Sequence, residues 1–116
     1  MRSPRDLRDD NPADVAIRAK LLRFLLDPSK LIWFRDVERE LAALNLTRAD
    51  VLDALVAFID AGRPITTGFF DNNDCGFEIT DCSVGEYAFF AHMKFVTYGV
   101  LERLKIMSTH PRRWGY

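Results

Sequence analysis

The spacing of apolar residues changes at Gly62, and this change restricts the possible folds more than any other feature of the sequence. Before Gly62, apolar residues recur at helical spacing. After it, short runs rich in aromatic and β-branched residues are separated by turn-forming residues, a pattern typical of strands. Helices followed by strands indicate the α+β class rather than a parallel α/β sheet. We therefore expect helices from the N-terminal half to pack on a C-terminal antiparallel sheet.

Length and composition predict one domain. The chain has 116 residues, of which 48% are hydrophobic and 28% charged, as in ordinary globular proteins. Residues 1–10 show no core-forming period, so we expect them to be disordered and residues 11–116 to form the domain. The charged N-terminus and the lack of a long apolar run predict a cytoplasmic protein without a membrane partner.

Capping signals mark the predicted helices. Asn11 and Pro12 are typical of a helix start, and this first helix is expected to end before Pro28. Asp36 is the predicted cap of a second helix that ends at Asn45. A third helix is predicted from the capping box formed by Thr47 and Asp50 and is closed by Gly62.

The predicted strands follow from aromatic and β-branched runs between turn residues. They cover residues 30–35, 64–70, 76–80, 86–97 and 100–108, and residues 82–85 are predicted to be a loop. In the last strand, Arg103 and Lys105 fall on one face and Leu104 and Ile106 on the other, because side chains alternate along a strand.

The C-terminal region is basic, although the net charge of the chain is only −1. Residues 92–116 contain five cations and a single acid, Glu102, so this region carries +4 and the rest of the chain −5. Such segregation favours an anionic partner for the C-terminal region. A solvated strand face followed by a basic tail is the structural alternative.

Histidines, cations and aromatic residues together form the candidate site. His92 and Lys94 share one face of a predicted strand, and Arg103 and Lys105 share a face of the next, so adjacent antiparallel strands can present all four side chains together. Cations hold phosphates, and a histidine can transfer protons during attack by a ribose 2′-hydroxyl. The remaining members of this constellation are His110, Arg112, Arg113, Trp114 and Tyr116.

Metal and nucleotide-cofactor chemistry find little support in the sequence. Cys75, Cys82, His92 and His110 match none of the usual paired-ligand spacings. No glycine cluster lies between a strand and a helix, as a phosphate-binding loop requires. We therefore predict no metal and no cofactor.

The order of segments resembles the MqsR family of bacterial toxins, within the wider RelE-like group. The resemblance covers residues 15–111 and is carried by the motifs Leu44-Asn45-Leu46-Thr47-Arg48-Ala49-Asp50-Val51-Leu52, Gly76-Phe77-Glu78, Gly85-Glu86-Tyr87 and Lys105-Ile106-Met107-Ser108-Thr109-His110-Pro111. It implies a RelE-like fold and a metal-independent endoribonuclease that cleaves mRNA and is neutralised by an antitoxin protein.

The resemblance also implies roles for individual residues. Arg63 stands nearest to a family lysine, Phe77-Glu78 stands where the family has an aromatic–glutamine pair, and a terminal-strand cation maps near His110. The strand tyrosine corresponds to Tyr87, or, with the register shifted, to Phe90 followed by His92.

Two mechanisms of action remain open at the level of the sequence. In the first, Arg63, Lys94, Arg103, Lys105, Arg112 and Arg113 bind RNA. His92 or His110 is then the general acid or base, with Tyr87 as a secondary acid. In the second, the chain is a non-enzymatic module that binds nucleic acid or protein, or an inhibitor of a nucleic-acid-handling complex.

Overall fold

The computed structural model of the chain describes residues 5–69 and 75–111, and its fold is of the predicted α+β class. The helices are α1 (Pro12–Leu25), α2 (Arg35–Leu44) and α3 (Arg48–Asp60), with one turn of 3-10 helix at Pro28–Lys30. The strands are β1 (Arg5–Asp6), β2 (Leu31–Trp33), β3 (Thr66–Phe69), β4 (Cys75–Val84), β5 (Tyr87–Tyr98) and β6 (Leu101–Pro111). None of these helices has the length and apolar character needed to cross a membrane.

The helix ends follow the capping signals, with one difference. The side chain of Asn11 accepts hydrogen bonds from the first turn of α1, and Thr47 and Asp50 form the capping box of α3. Asn45 ends α2 in the left-handed conformation, with φ 57°. Asp36 was predicted to cap α2, but Phe34 occupies that position. Asp36 lies instead in the first helical turn, where its negative charge interacts favourably with the helix dipole.

The six described strands form one mixed sheet in the order β1-β3-β4-β5-β6-β2. All neighbours are antiparallel except β2 and β6, which pair in parallel at one edge. The C-terminal strands β3 to β6 pair antiparallel, as predicted, and the sheet is mixed because β2 from the N-terminal half joins it in parallel. The three-residue β2 continues almost directly into α2. That helix lies beside β6, where the carboxylate of Glu40 accepts the backbone N–H of Thr109 at 3.1 Å.

The expectation of disorder is wrong for the segment that begins at Arg5. Strand β1 pairs with β3, and Leu7 is buried in the core. The Arg5 guanidinium binds both carboxylate oxygens of Asp14, at 2.7 and 2.8 Å, and the N–H of Arg8 donates to the same carboxylate at 3.0 Å. An ion pair with α1, between the half-exposed Arg5 and the buried Asp14, thus holds this short strand in place.

The sheet has two unlike faces. The covered face packs against the helices, and its side chains in the central strands include Phe77, Ile79, Cys82, Phe89, Ala91, Met93, Leu104 and Ile106, all buried. The other face, which we call the open face, is formed by the alternate residues. Its side chains are half-buried or exposed and include Ile32, Glu78, Phe90, His92, Lys94, Val96, Tyr98, Leu101, Arg103 and Lys105.

Two irregularities interrupt the alternation. Residues 82–84, predicted to be a loop, belong to β4, because the strand continues through a register shift between Ile79 and Cys82. A second shift, between His92 and Met93, leaves Met107 as an extra residue on β6. Bulges of this kind redirect side chains and increase the twist of a strand.

Candidate nucleic-acid interface

Three cations meet on the open face where β5 and β6 pair. Lys94 lies directly opposite Lys105, and Arg103 lies opposite Val96, one step further along the same two strands. Directly opposed residues have Cβ atoms about 4.5–5.5 Å apart. The structure thus brings together Lys94, Arg103 and Lys105, with His92 two residues before Lys94 on the same face.

Lys94 and Lys105 are like charges, and like charges directly opposite one another on neighbouring strands repel. The Lys105 ammonium lies 5.1 Å from the centre of the Phe34 ring, a cation–π distance. Arg103 donates to the carbonyl of Glu102 at 3.0 Å. Concentrated positive charge of this kind is an electrostatic footprint for an anionic partner.

Among the described residues, the open face also carries acidic groups on β4 and β1. Glu78 of β4 is directly opposite His92, and the Asp6 carboxylate of β1 accepts from the Thr66 hydroxyl at 2.9 Å. Asp27 lies near Arg103. Its pKa is lowered by hydrogen bonding from Ser29 and by nearby cations that include Arg103. The open face therefore has a basic side at β5 and β6 and an acidic side at β1 and β4.

The His92 imidazole lies beside Gly76 of strand β4. Its Nε2 atom is buried, and a Cβ built on Gly76 would come within 2.8 Å of that atom and within 3.0 Å of the Met93 carbonyl oxygen. The absence of a side chain at Gly76 therefore gives the imidazole its place. Packing against the sheet therefore accounts for much of the position of His92.

Tyr87 does not join this cluster. It lies at the far end of β5, five residues or about 16 Å from His92, and strand alternation directs the two side chains to opposite faces. Tyr87 is 49% exposed.

Arg63 lies on the helical side of the sheet, where its guanidinium covers the Phe58 ring at 4.9 Å. It borders a cleft of about 200 Å³ between α3 and β4, whose lining also includes Ala57 and the buried thiol of Cys82. This cleft and the open face lie on different sides of the sheet, so Arg63 is not part of the cation cluster.

Some predicted site residues lie outside the part of the chain that the structure describes. Arg112, Arg113, Trp114 and Tyr116 all do, as do the side chains of Cys75 and His110; only the backbone of His110 is described, paired with Phe90. Within the described ranges, no group of three or more histidine, cysteine or acidic residues could hold a metal ion.

Sequence reasoning missed two aromatic residues of the open face. Phe34 follows Ile32 at strand spacing and contacts Lys105, and Tyr98 follows Lys94 and Val96 on the same face of β5. Strand alternation was the signal that would have found both. Tyr98 falls between the predicted strands 86–97 and 100–108, and Phe34 falls within the predicted strand 30–35.

Comparison with protein-family models, with curated proteins and with solved structures finds no match to this chain. The geometry of the open face is thus the main basis for a functional proposal.

Proposed function

We propose that the open face binds single-stranded RNA through Lys94, Arg103 and Lys105. The observation that carries this proposal is the direct pairing of Lys94 with Lys105, two half-buried cations opposite one another on the same face of adjacent strands. A phosphate between them relieves their repulsion, and Arg103 lies one step away to bind the next phosphate.

The shape of the surface favours an unpaired strand. Proteins that read duplex DNA insert a helix or a β-ribbon into a groove, whereas unpaired RNA lies across the face of a sheet with its bases splayed. The open face is such a sheet surface, in which the apolar Val96 and Ile32 lie beside the cations. Its acidic side, at Glu78 and Asp6, restricts the phosphates to β5 and β6.

The salt dependence of binding tests this proposal. For three phosphate contacts, the logarithm of the affinity for an octauridine RNA should fall with the logarithm of salt concentration with a slope of about −2. Replacing Lys94 and Lys105 with Gln should reduce the slope to about −0.7. The charge-matched control replaces Arg8 and Arg39, two exposed arginines outside the cluster, with Gln. Equal weakening by both double variants would refute a site at the open face.

The second candidate is an mRNA endoribonuclease toxin, RelE-like and neutralised by an antitoxin in the cytoplasm, as the resemblance to the MqsR family implies. The observation that favours it is the position of His92, beside Lys94 and opposite Glu78. An imidazole and a carboxylate next to phosphate-binding cations are the groups that general acid–base cleavage of RNA requires.

Cleavage of a long single-stranded RNA in the presence of a chelator tests this second candidate. Purified wild type should produce fragments that end in a 2′,3′-cyclic phosphate, and His92→Ala should reduce cleavage by about 10²-fold or more while RNA binding persists. Equal cleavage by both proteins would exclude His92 as the catalytic base. Binding without any cleavage would leave the non-enzymatic module as the function.

A further inference from the structure

Two aromatic side chains lie at opposite ends of the cation cluster. The Phe34 ring is 5.1 Å from the Lys105 ammonium. Tyr98 pairs with Leu101, which makes it a diagonal neighbour of Arg103, at a separation that aromatic and long side chains reach across. In order along the hairpin, the open face thus presents an aromatic ring, Lys105 beside Lys94, Arg103 and a second aromatic ring.

The backbone fixes the spacing of these rings. The N–H of Phe34 donates to the carbonyl of Ile106 at 3.0 Å, and Tyr98 lies opposite Leu101. The positions on β6 beside the two aromatic residues are therefore five residues apart. This separation corresponds to about 17 Å along the strand. A stretch of this length suits a short site, near the lower limit of about 4 nucleotides known for single-stranded sites.

Tyr98 is not positioned by packing in the hydrophobic core. Its side chain is 57% exposed at the end of β5, on the face that carries no core cluster. In the structure the Phe34 ring is covered by the Lys105 ammonium. When Lys105 turns to a phosphate, that ring becomes available to a base, because both interactions use the same π face.

We propose that Phe34 and Tyr98 are base-stacking platforms at the two ends of a site for a short single-stranded oligonucleotide. This inference rests on the proposed function of the open face and adds the requirement for unpaired bases. The phosphates run along β6 over Lys105 and Arg103, with Lys94 beside them, and one base stacks on each ring.

The experiment compares binding of octauridine RNA with binding of an abasic ribose-phosphate oligomer of the same length. Wild type should bind octauridine at least about fivefold more tightly, since stacking a base on an aromatic ring contributes that much or more. Tyr98→Leu should weaken binding of octauridine about fivefold and leave binding of the abasic oligomer unchanged. Tyr87→Leu is the matched control, because Tyr87 is an exposed tyrosine of the same strand outside the cluster.

Phe34→Leu should act like Tyr98→Leu. Phe34 also packs against the core, so Phe34→Leu can lower the melting temperature. In that case the test depends on Tyr98→Leu, because Tyr98 is exposed. Equal affinity of wild type for the two oligomers, or equal effects of Tyr98→Leu and Tyr87→Leu, would overturn the stacking proposal while RNA binding by the cations stands. Failure of wild type to bind either oligomer would overturn both proposals.

Discussion

The two faces of strands β5 and β6 are made by alternate residues of the same segments, yet they differ in almost every property. On the covered face, Met93 lies opposite Ile106 and both are fully buried against the helices. On the open face, Lys94 lies opposite Lys105 and both remain partly accessible. The covered face accounts for folding. The open face places two like charges opposite one another, and the proposed binding site rests on this arrangement.

The largest expected effect lies on the covered face. Leu104→Ala should lower the free energy of unfolding by about 2–5 kcal/mol, because it leaves a cavity at a fully buried position. The neighbouring change Arg103→Ala, on the open face, should alter it by no more than about 0.5 kcal/mol. Urea denaturation of both variants measures the contrast. Similar losses would mean that the open face is also part of the packed core.

A smaller effect is expected where the open face is closely packed. Gly76→Ala should lower the free energy of unfolding by about 1–3 kcal/mol, since the added Cβ meets the His92 imidazole and the Met93 carbonyl oxygen. Part of this loss should disappear in a His92→Ala background, because only the contact with the imidazole is then relieved. A double-mutant cycle measures the coupling. Additive effects would show that His92 does not lie against Gly76.

The next effect concerns Asp14, a buried carboxylate in the first turn of α1. The Arg5 guanidinium, followed by the N–H of Arg8, lowers the pKa of Asp14 from 3.8 to about 2. A carboxylate with a depressed folded-state pKa stabilises the fold above its unfolded pKa and loses this contribution as pH falls through the folded value. The melting temperature of wild type should therefore fall between pH 4 and pH 2.

Asp14→Asn provides the comparison for this pH dependence. At pH 7 it should melt about 5 °C below wild type, because the ion pair that holds β1 is lost. Between pH 4 and pH 2 its melting temperature should fall less than that of wild type. Parallel curves for the two proteins would show that Asp14 does not carry this part of the acid sensitivity.

The sequence predicted those parts of the fold that local interactions determine. The Asn11 cap, the capping box of Thr47 and Asp50 and the left-handed Asn45 each depend on contacts within a few residues, and the structure confirms all three. The sharing of one face by Lys94 and Lys105 also follows from alternation, once β5 and β6 are paired.

The features that sequence reasoning missed depend on distant partners. Strand β1 is too short to show an alternation of apolar residues, and it is held by an ion pair with α1. The parallel partner of β2 is the last described strand, β6. The bulge after Ile79 breaks the alternation, which made the end of β4 resemble a loop. For the same reason the candidate site was predicted only in part. Its cations lie within one hairpin, but the neighbourhood of Phe34 and Lys105 depends on the pairing of β2 with β6.

The smallest effect on stability is expected at the lysine pair itself, where the effect on binding should be large. Lys105→Glu replaces a repulsive cross-strand pair with an attractive one worth about 0.2–1 kcal/mol, and it loses a cation–π contact of about 0.5–1 kcal/mol with Phe34. The free energy of unfolding should therefore change by between about −0.8 and +0.5 kcal/mol. Affinity for octauridine should nevertheless fall at least about tenfold, because a phosphate contact becomes a repulsion.

Arg39→Glu, an identical change of charge at an exposed position of α2, should leave that affinity within about twofold of wild type, since long-range charge effects are screened at physiological salt. If both variants weakened binding equally, net charge rather than the open face would determine RNA affinity.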